Sequence, residues 1–143
     1  MNITVISVGK IKEKYFTAAI DEYSKRLSRF AKLNIIEVAD EKIPDNASEK
    51  EMEQIKEKEG NKILAKLPQN SFVVTLCIEG KEHSSEELAK KIADISMTSS
   101  HITFIIGGSL GLYDTVKSKS ALRLSFGKMT LPHQLMRVVL LEQ

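Results

Sequence analysis

Short runs of apolar, often β-branched residues alternate along the chain with longer segments whose apolar positions recur at helical spacing. Ile3 to Val8, Leu33 to Val38, Phe72 to Ile78, Ile102 to Ile106 and Leu122 to Ser125 read as strands. Between the first two, Phe16, Ile20, Tyr23, Leu27 and Phe30 fall at steps of four, three, four and three, which is one face of a helix. A second helix is expected from Ser48, because Ser48 and Glu51 form an S-x-x-E capping box that satisfies free amides at a helix start. Ser84 and Glu87 repeat the device ahead of Leu88, Ile92 and Ile95. After Ile106 come Gly107-Gly108-Ser109-Leu110-Gly111 and a short polar helix-like piece from Leu112 to about Ser118. A last helix follows Pro132, whose missing N–H suits a first helical turn, with Leu135, Met136, Val139 and Leu140 as its apolar stripe.

This order predicts an α/β fold, a mostly parallel sheet flanked by helices on both faces, in a single domain over residues 1–143. No linker, repeat or low-complexity segment interrupts it, and the length is enough to bury a full core. The charge balance, 21 Lys and Arg against 19 Asp and Glu, excludes a histone-like coat for nucleic acid. An RNA role would need a local patch, and Lys10, Lys12, Lys14, Lys25, Arg26, Arg29 and Lys32 outnumber the three acids in their stretch. Asp40 to Glu59, with eight acids and four bases, reads as a solvated helix and its approach loop. The lone Cys77 excludes an internal disulfide and a cysteine zinc site and points to reducing cytosol. The N-terminus has no signal-peptide pattern, and no apolar run of about 18 residues suggests a membrane span.

Parallel sheets bind ligands beyond the carboxyl ends of their strands. Three such loops carry glycine: Glu79-Gly80, the Gly107 to Gly111 run, and Phe126-Gly127-Lys128. A lone glycine more often marks a tight turn; three such loops at one sheet edge weaken that reading, and the backbone at Gly108 is expected to approach a ligand closely. The run is neither G-x-G-x-x-G nor a P-loop, so a dinucleotide or triphosphate site is a weak reading. His83 and His101 read as exposed surface residues. His133 falls in the first turn of the last helix, where the dipole keeps the ring neutral, and Arg137 lies one turn further on the same face, suited to meeting a phosphate or carboxylate. A capping or interface role for the pair is equally compatible with the sequence. No catalytic triad, carboxylate pair or metal-ligand pattern is present.

The opening I-T-V-I-S-V-G-K-I-K-E-K-Y, the middle I-K-E-K-E-G-N-K-I-L, the block F-I-I-G-G-S-L-G-L and the ending L-S-F-G-K-M-T-L-P-H-Q-L-M-R-V-V-L-L-E-Q resemble the ribosomal RNA large subunit methyltransferase H family, of the SPOUT class of knotted methyltransferases. The resemblance runs in register from Met1 to Gln143 and implies a C-terminal trefoil knot that binds S-adenosylmethionine. It further implies methylation of N3 of a pseudouridine in 23S rRNA on the ribosome, by a homodimer, and the apolar stripe of Leu135, Met136, Val139 and Leu140 predicts that the pair is joined through the last helix. Carried over position by position, Leu76, Gly108, Gly127, Lys128, Met129, Thr130, Leu131 and Pro132 are expected to line the cofactor. An apolar slot for adenine is expected from Leu76, Ile106, Met129 and Leu131. His133 is the candidate to assist loss of the N3 proton, with Arg137 beside it as a second catalytic candidate. Family members continue beyond the position of Gln143 with an aromatic and basic tail associated with the target nucleotide, so the expectation is a chain that binds cofactor but positions the target poorly. The rival reading is a non-catalytic RNA-binding or ribosome-assembly module on the same fold. A nucleotide-binding α/β domain is the third.

Overall fold

A computed structural model describes residues 1–143. Strands β1 (Asn2–Val8), β2 (Lys32–Val38), β3 (Phe72–Glu82), β4 (His101–Ile106) and β5 (Leu122–Ser125) alternate with helices α1 (Lys14–Leu27), α2 (Glu49–Lys66), α3 (Ser85–Ser96), α4 (Asp114–Ser118) and α5 (His133–Glu142). The strands form one all-parallel sheet in the order β2-β1-β4-β3-β5. Parallel neighbours need crossover connections, which the alternating helices provide. No helix is long and apolar enough to cross a membrane.

Successive side chains of a strand point to opposite faces, so one sheet supports two cores. On one face Val5, Leu76, Phe104 and Ile106 pack with Leu88 and Ile95 of α3, Leu140 and Leu141 of α5, and the half-buried Ile20, Tyr23 and Leu27 of α1. On the other, Ile6, Val8, Val73 and Ile105 pack with Ile63 of α2, Leu112, and Val116 of α4. The expected two-sided α/β architecture is thus observed.

Both capping boxes form, with Ser48 Oγ accepting from the Glu51 N–H at 3.1 Å and Ser84 Oγ from the Glu87 N–H at 3.0 Å. Four details differ from the sequence reading. Helix α1 ends at Leu27, so Phe30 leaves the helical stripe and is 77% exposed. Glu59, read as part of a solvated helix, is buried and accepts the Glu41 N–H at 3.0 Å. His101 is half-buried against the Thr4 hydroxyl at 2.7 Å, and His83 is half-buried with Nδ1 3.2 Å from the Lys81 carbonyl. Finally, β3 does not stop at Ile78: it continues to Glu82 through a bulge, Leu76 and Lys81 both registering with Leu124. The bulge requires Gly80, because a Cβ there would lie 2.8 Å from the Arg123 and Leu124 backbone.

Candidate functional site

A cleft of about 660 Å³ opens beyond the carboxyl ends of β3 and β4, where ligand sites of open parallel sheets form. Its walls are the β3 bulge from Leu76 to Glu79, the 106–112 segment, Lys117 of α4, the 130–132 approach to α5, and His133 and Met136 on that helix. A volume of this size suits a drug-sized ligand.

The glycine run is folded back on itself, Gly111 N–H donating to the Gly108 carbonyl at 3.0 Å, with an antiparallel bridge between the two residues. Gly111 has φ +86°, and a Cβ on Gly107 would lie 2.9 Å from the Gly111 carbonyl carbon. Both positions therefore demand glycine for the turn itself. At Gly108 the reason differs from the expected one. A Cβ there would meet Val8 Cγ1 and Glu59 Oε1, each at 3.2 Å, so its direction is taken up by protein rather than left for a ligand. The third glycine loop is shaped by Gly127, with φ +115°, whose N–H donates to Ser125 Oγ at 3.1 Å.

Of the residues expected at the cofactor, Leu76, Gly108, Thr130, Leu131 and Pro132 line the cleft. Gly127 and Met129 instead line a smaller adjoining pocket of about 60 Å³, together with Thr130 and Leu131. Met129 is 85% exposed and so does not contribute a closed wall to an apolar slot, whereas Leu76 and Ile106 are buried in its floor. Lys128 lines neither of these two pockets.

His133 stands on the cleft wall, half-buried, with Nδ1 buried and without a hydrogen-bond partner. Burial, and then the Arg137 charge, push its pKa below the ordinary value, opposed by Asp40 and Glu13. The ring is accordingly neutral at pH 7 and able to accept a proton. Arg137 is not in the cleft. Its guanidinium donates to Glu37 Oε2 at 2.7 Å and to the Val8 and Gly9 carbonyls at 2.7 and 2.9 Å. The carboxylate it meets belongs to the protein itself. The fork binds α5 to the carboxyl ends of β1 and β2, which fixes where the α5 N-terminus places His133.

Sequence reasoning missed one pair in the cleft. Lys117 Nζ and Glu79 Oε1 lie 2.6 Å apart, joining α4 to the β3 bulge, and the Lys117 hydrogen bond holds the Glu79 carboxyl below its ordinary range. Lys117 carried no motif signal, and only the bulge brings Glu79 to it. No group of three or more His, Cys, Asp or Glu side chains is placed to hold a metal ion.

A parallel α/β sheet thus carries a glycine-turned cleft at its carboxyl edge. The chain belongs to the SPOUT methyltransferases: the family model described as "Predicted SPOUT methyltransferase" matches residues 1–143. It is 63% identical to the putative ribosomal RNA large subunit methyltransferase H of Methanococcus maripaludis, 62% to the ribosomal RNA large subunit methyltransferase H of Clostridium botulinum strain Kyoto and 58% to that of Clostridioides difficile. Each match covers 100% of this chain and 91% of the relative.

Proposed function

We propose that this chain is an S-adenosylmethionine-dependent rRNA methyltransferase that modifies N3 of a pseudouridine in 23S rRNA on the ribosome, working in the cytoplasm as a homodimer. The observation that carries the reading is the cleft, built from the segments that bear the family's two motif blocks, 106–111 and 130–133, with a neutral histidine on its wall. The names of the relatives support rRNA as the substrate. The residues present fit such a cofactor: Leu76, Ile106 and Leu131 offer apolar surface, while the tight glycine turn brings backbone groups to the cavity. In this reading the 125–132 loop and the glycine turn are the parts that a trefoil knot would bring together around the ligand.

When bound, S-adenosylmethionine supplies an already activated sulfonium methyl group, so little covalent chemistry falls to the protein. The side chains orient the acceptor, exclude water and manage one proton. His133 is the group to take the N3 proton, because burial keeps its ring neutral. Arg137 holds the helix that carries it and is a positioning residue. Exposed Lys10, Lys12, Lys14, Lys25, Arg26, Arg29 and Lys32 supply a basic surface on and around α1 for the RNA backbone.

The test is transfer of a labelled methyl group from S-adenosylmethionine to ribosomes with and without the pseudouridine. Label in the first sample alone supports the reading, and no transfer to either favours a binding module. His133→Gln should lower the rate and remove an acid limb whose midpoint lies below 6.5, the ordinary histidine value. An unchanged pH profile would remove His133 from proton transfer.

A further inference from the structure

The 17 residues of the cleft include only one acid and one basic lysine or arginine, Glu79 and Lys117, and these lie against each other at 2.6 Å. They come from separate elements. The β3 bulge turns Glu79 to the cleft, and α4, starting just after the glycine run, carries Lys117. The remaining lining is apolar, glycine or neutral polar, with His133 held neutral. Glu79, 53% exposed, is open to solvent, whereas Lys117, 19% exposed, is largely covered. An ion pair with an open carboxylate contributes modestly to folding stability, and a ligand that offers an ammonium to Glu79 and a carboxylate to Lys117 replaces each partner by a group of the same charge.

The geometry points to Glu79 and Lys117 as the receptor for a zwitterionic amino-acid group, Glu79 taking an α-ammonium and Lys117 an α-carboxylate. The inference rests on the methyl-donor reading above and deepens it. S-adenosylmethionine ends in this zwitterion, whose two charges have no other charged counterpart among the lining residues. Without a ligand the two side chains neutralise each other. With the ligand bound, one internal ion pair is replaced by two charge-assisted contacts, one on each side chain. The neutral remainder of the cleft suits the nucleoside end. The pair then selects an adenosyl amino acid over a nucleoside lacking that group, because the latter leaves nothing for the two charges to meet but each other.

Calorimetry with two probes tests this: S-adenosylhomocysteine, which keeps the amino-acid end, and 5′-methylthioadenosine, which lacks it. Lys117→Met and Glu79→Gln should each weaken S-adenosylhomocysteine about tenfold to a hundredfold, while 5′-methylthioadenosine changes by less than about threefold. A double variant, Glu79→Lys with Lys117→Glu, restores an ion pair with its charges exchanged, and should still bind S-adenosylhomocysteine weakly. Equal losses for both probes, no loss for either, or recovery of affinity in the exchanged pair would overturn the assignment. Failure of the unaltered protein to bind either probe would instead remove the methyl-donor reading, and this assignment with it.

Discussion

On the α2 and α4 face of the sheet, Ile63, Ile105 and Val116 are at most 1% exposed, whereas on the opposite face α1 contributes no buried residue at all. There a groove of about 540 Å³ stays open, lined almost wholly by apolar side chains that include Leu27, Phe30, Leu88 and Leu140. One face is closed by its own helices. The other exposes contiguous apolar surface of the kind that marks association sites. The contrast supports the homodimer proposed above, whose seam is then expected among α1, α3 and α5 rather than on α5 alone.

Arg137 ties α5, on the open face, to the ends of β1 and β2, and removing it should have the largest effect. Arg137→Met would leave two buried strand-end carbonyls without a partner and return the 38% exposed Glu37 carboxylate to water, costing about 3–5 kcal/mol in denaturant unfolding, most of it from the carbonyls. Arg137→Lys should recover only part, since an ammonium lacks the planar fork. A loss near zero for the methionine variant would show that the strand ends do not depend on α5.

On the sealed face, Ile63→Ala should cost about 2–5 kcal/mol with no change in self-association. Ile92→Ala, at a half-buried position lining the open groove, should cost less in stability and more in association. Equal stability losses at the two sites would erase the distinction between the faces. Phe30→Asp sharpens it further: 77% exposed, Phe30 should shift monomer stability by only about 0.5 kcal/mol. Its association constant, read by sedimentation equilibrium, should fall at least about tenfold. Unaltered association would move the proposed interface off this groove.

The smallest effect concerns pH. Burial, the largest cause, raises the Glu59 pKa above the ordinary 4.5, so between that value and the folded one the native state holds more protons than the unfolded chain. The favourable contribution is complete below 4.5 and is lost as pH rises through the folded pKa. Glu59→Gln keeps an oxygen for the Glu41 N–H and removes this loss, so its melting temperature relative to the unaltered protein should be higher at pH 8 than at pH 4. A constant offset across that range would mean that Glu59 is not protonated more readily in the fold.

The capping boxes were legible because their partners are three residues apart, and the strands because β-branched runs mark them wherever they pair. The bulge in β3 was not. Gly80 is required by the backbone of Arg123 and Leu124, and nothing near position 80 records that contact. Arg137 shows a related limit: helical spacing says which residues share a face, but not what stands opposite. At the candidate site the motif blocks located the approach to α5 and the glycine turn. They did not distinguish Thr130, Leu131 and Pro132 on the cleft from the exposed Met129 just before them, because adjacent residues of a loop carry no period.

The Arg137 fork also imposes an order in time. Its two carbonyl acceptors, Val8 and Gly9, precede the guanidinium that satisfies them by 129 and 128 positions. During synthesis the carboxyl end of β1 therefore emerges long before its clasp. Contacts of such separation are slow to form, since loop closure must precede any gain. The cleft shares that schedule, because His133 and Met136 arrive on the same helix. A ligand of this cleft can therefore stabilise only the fold in which α5 is already in place.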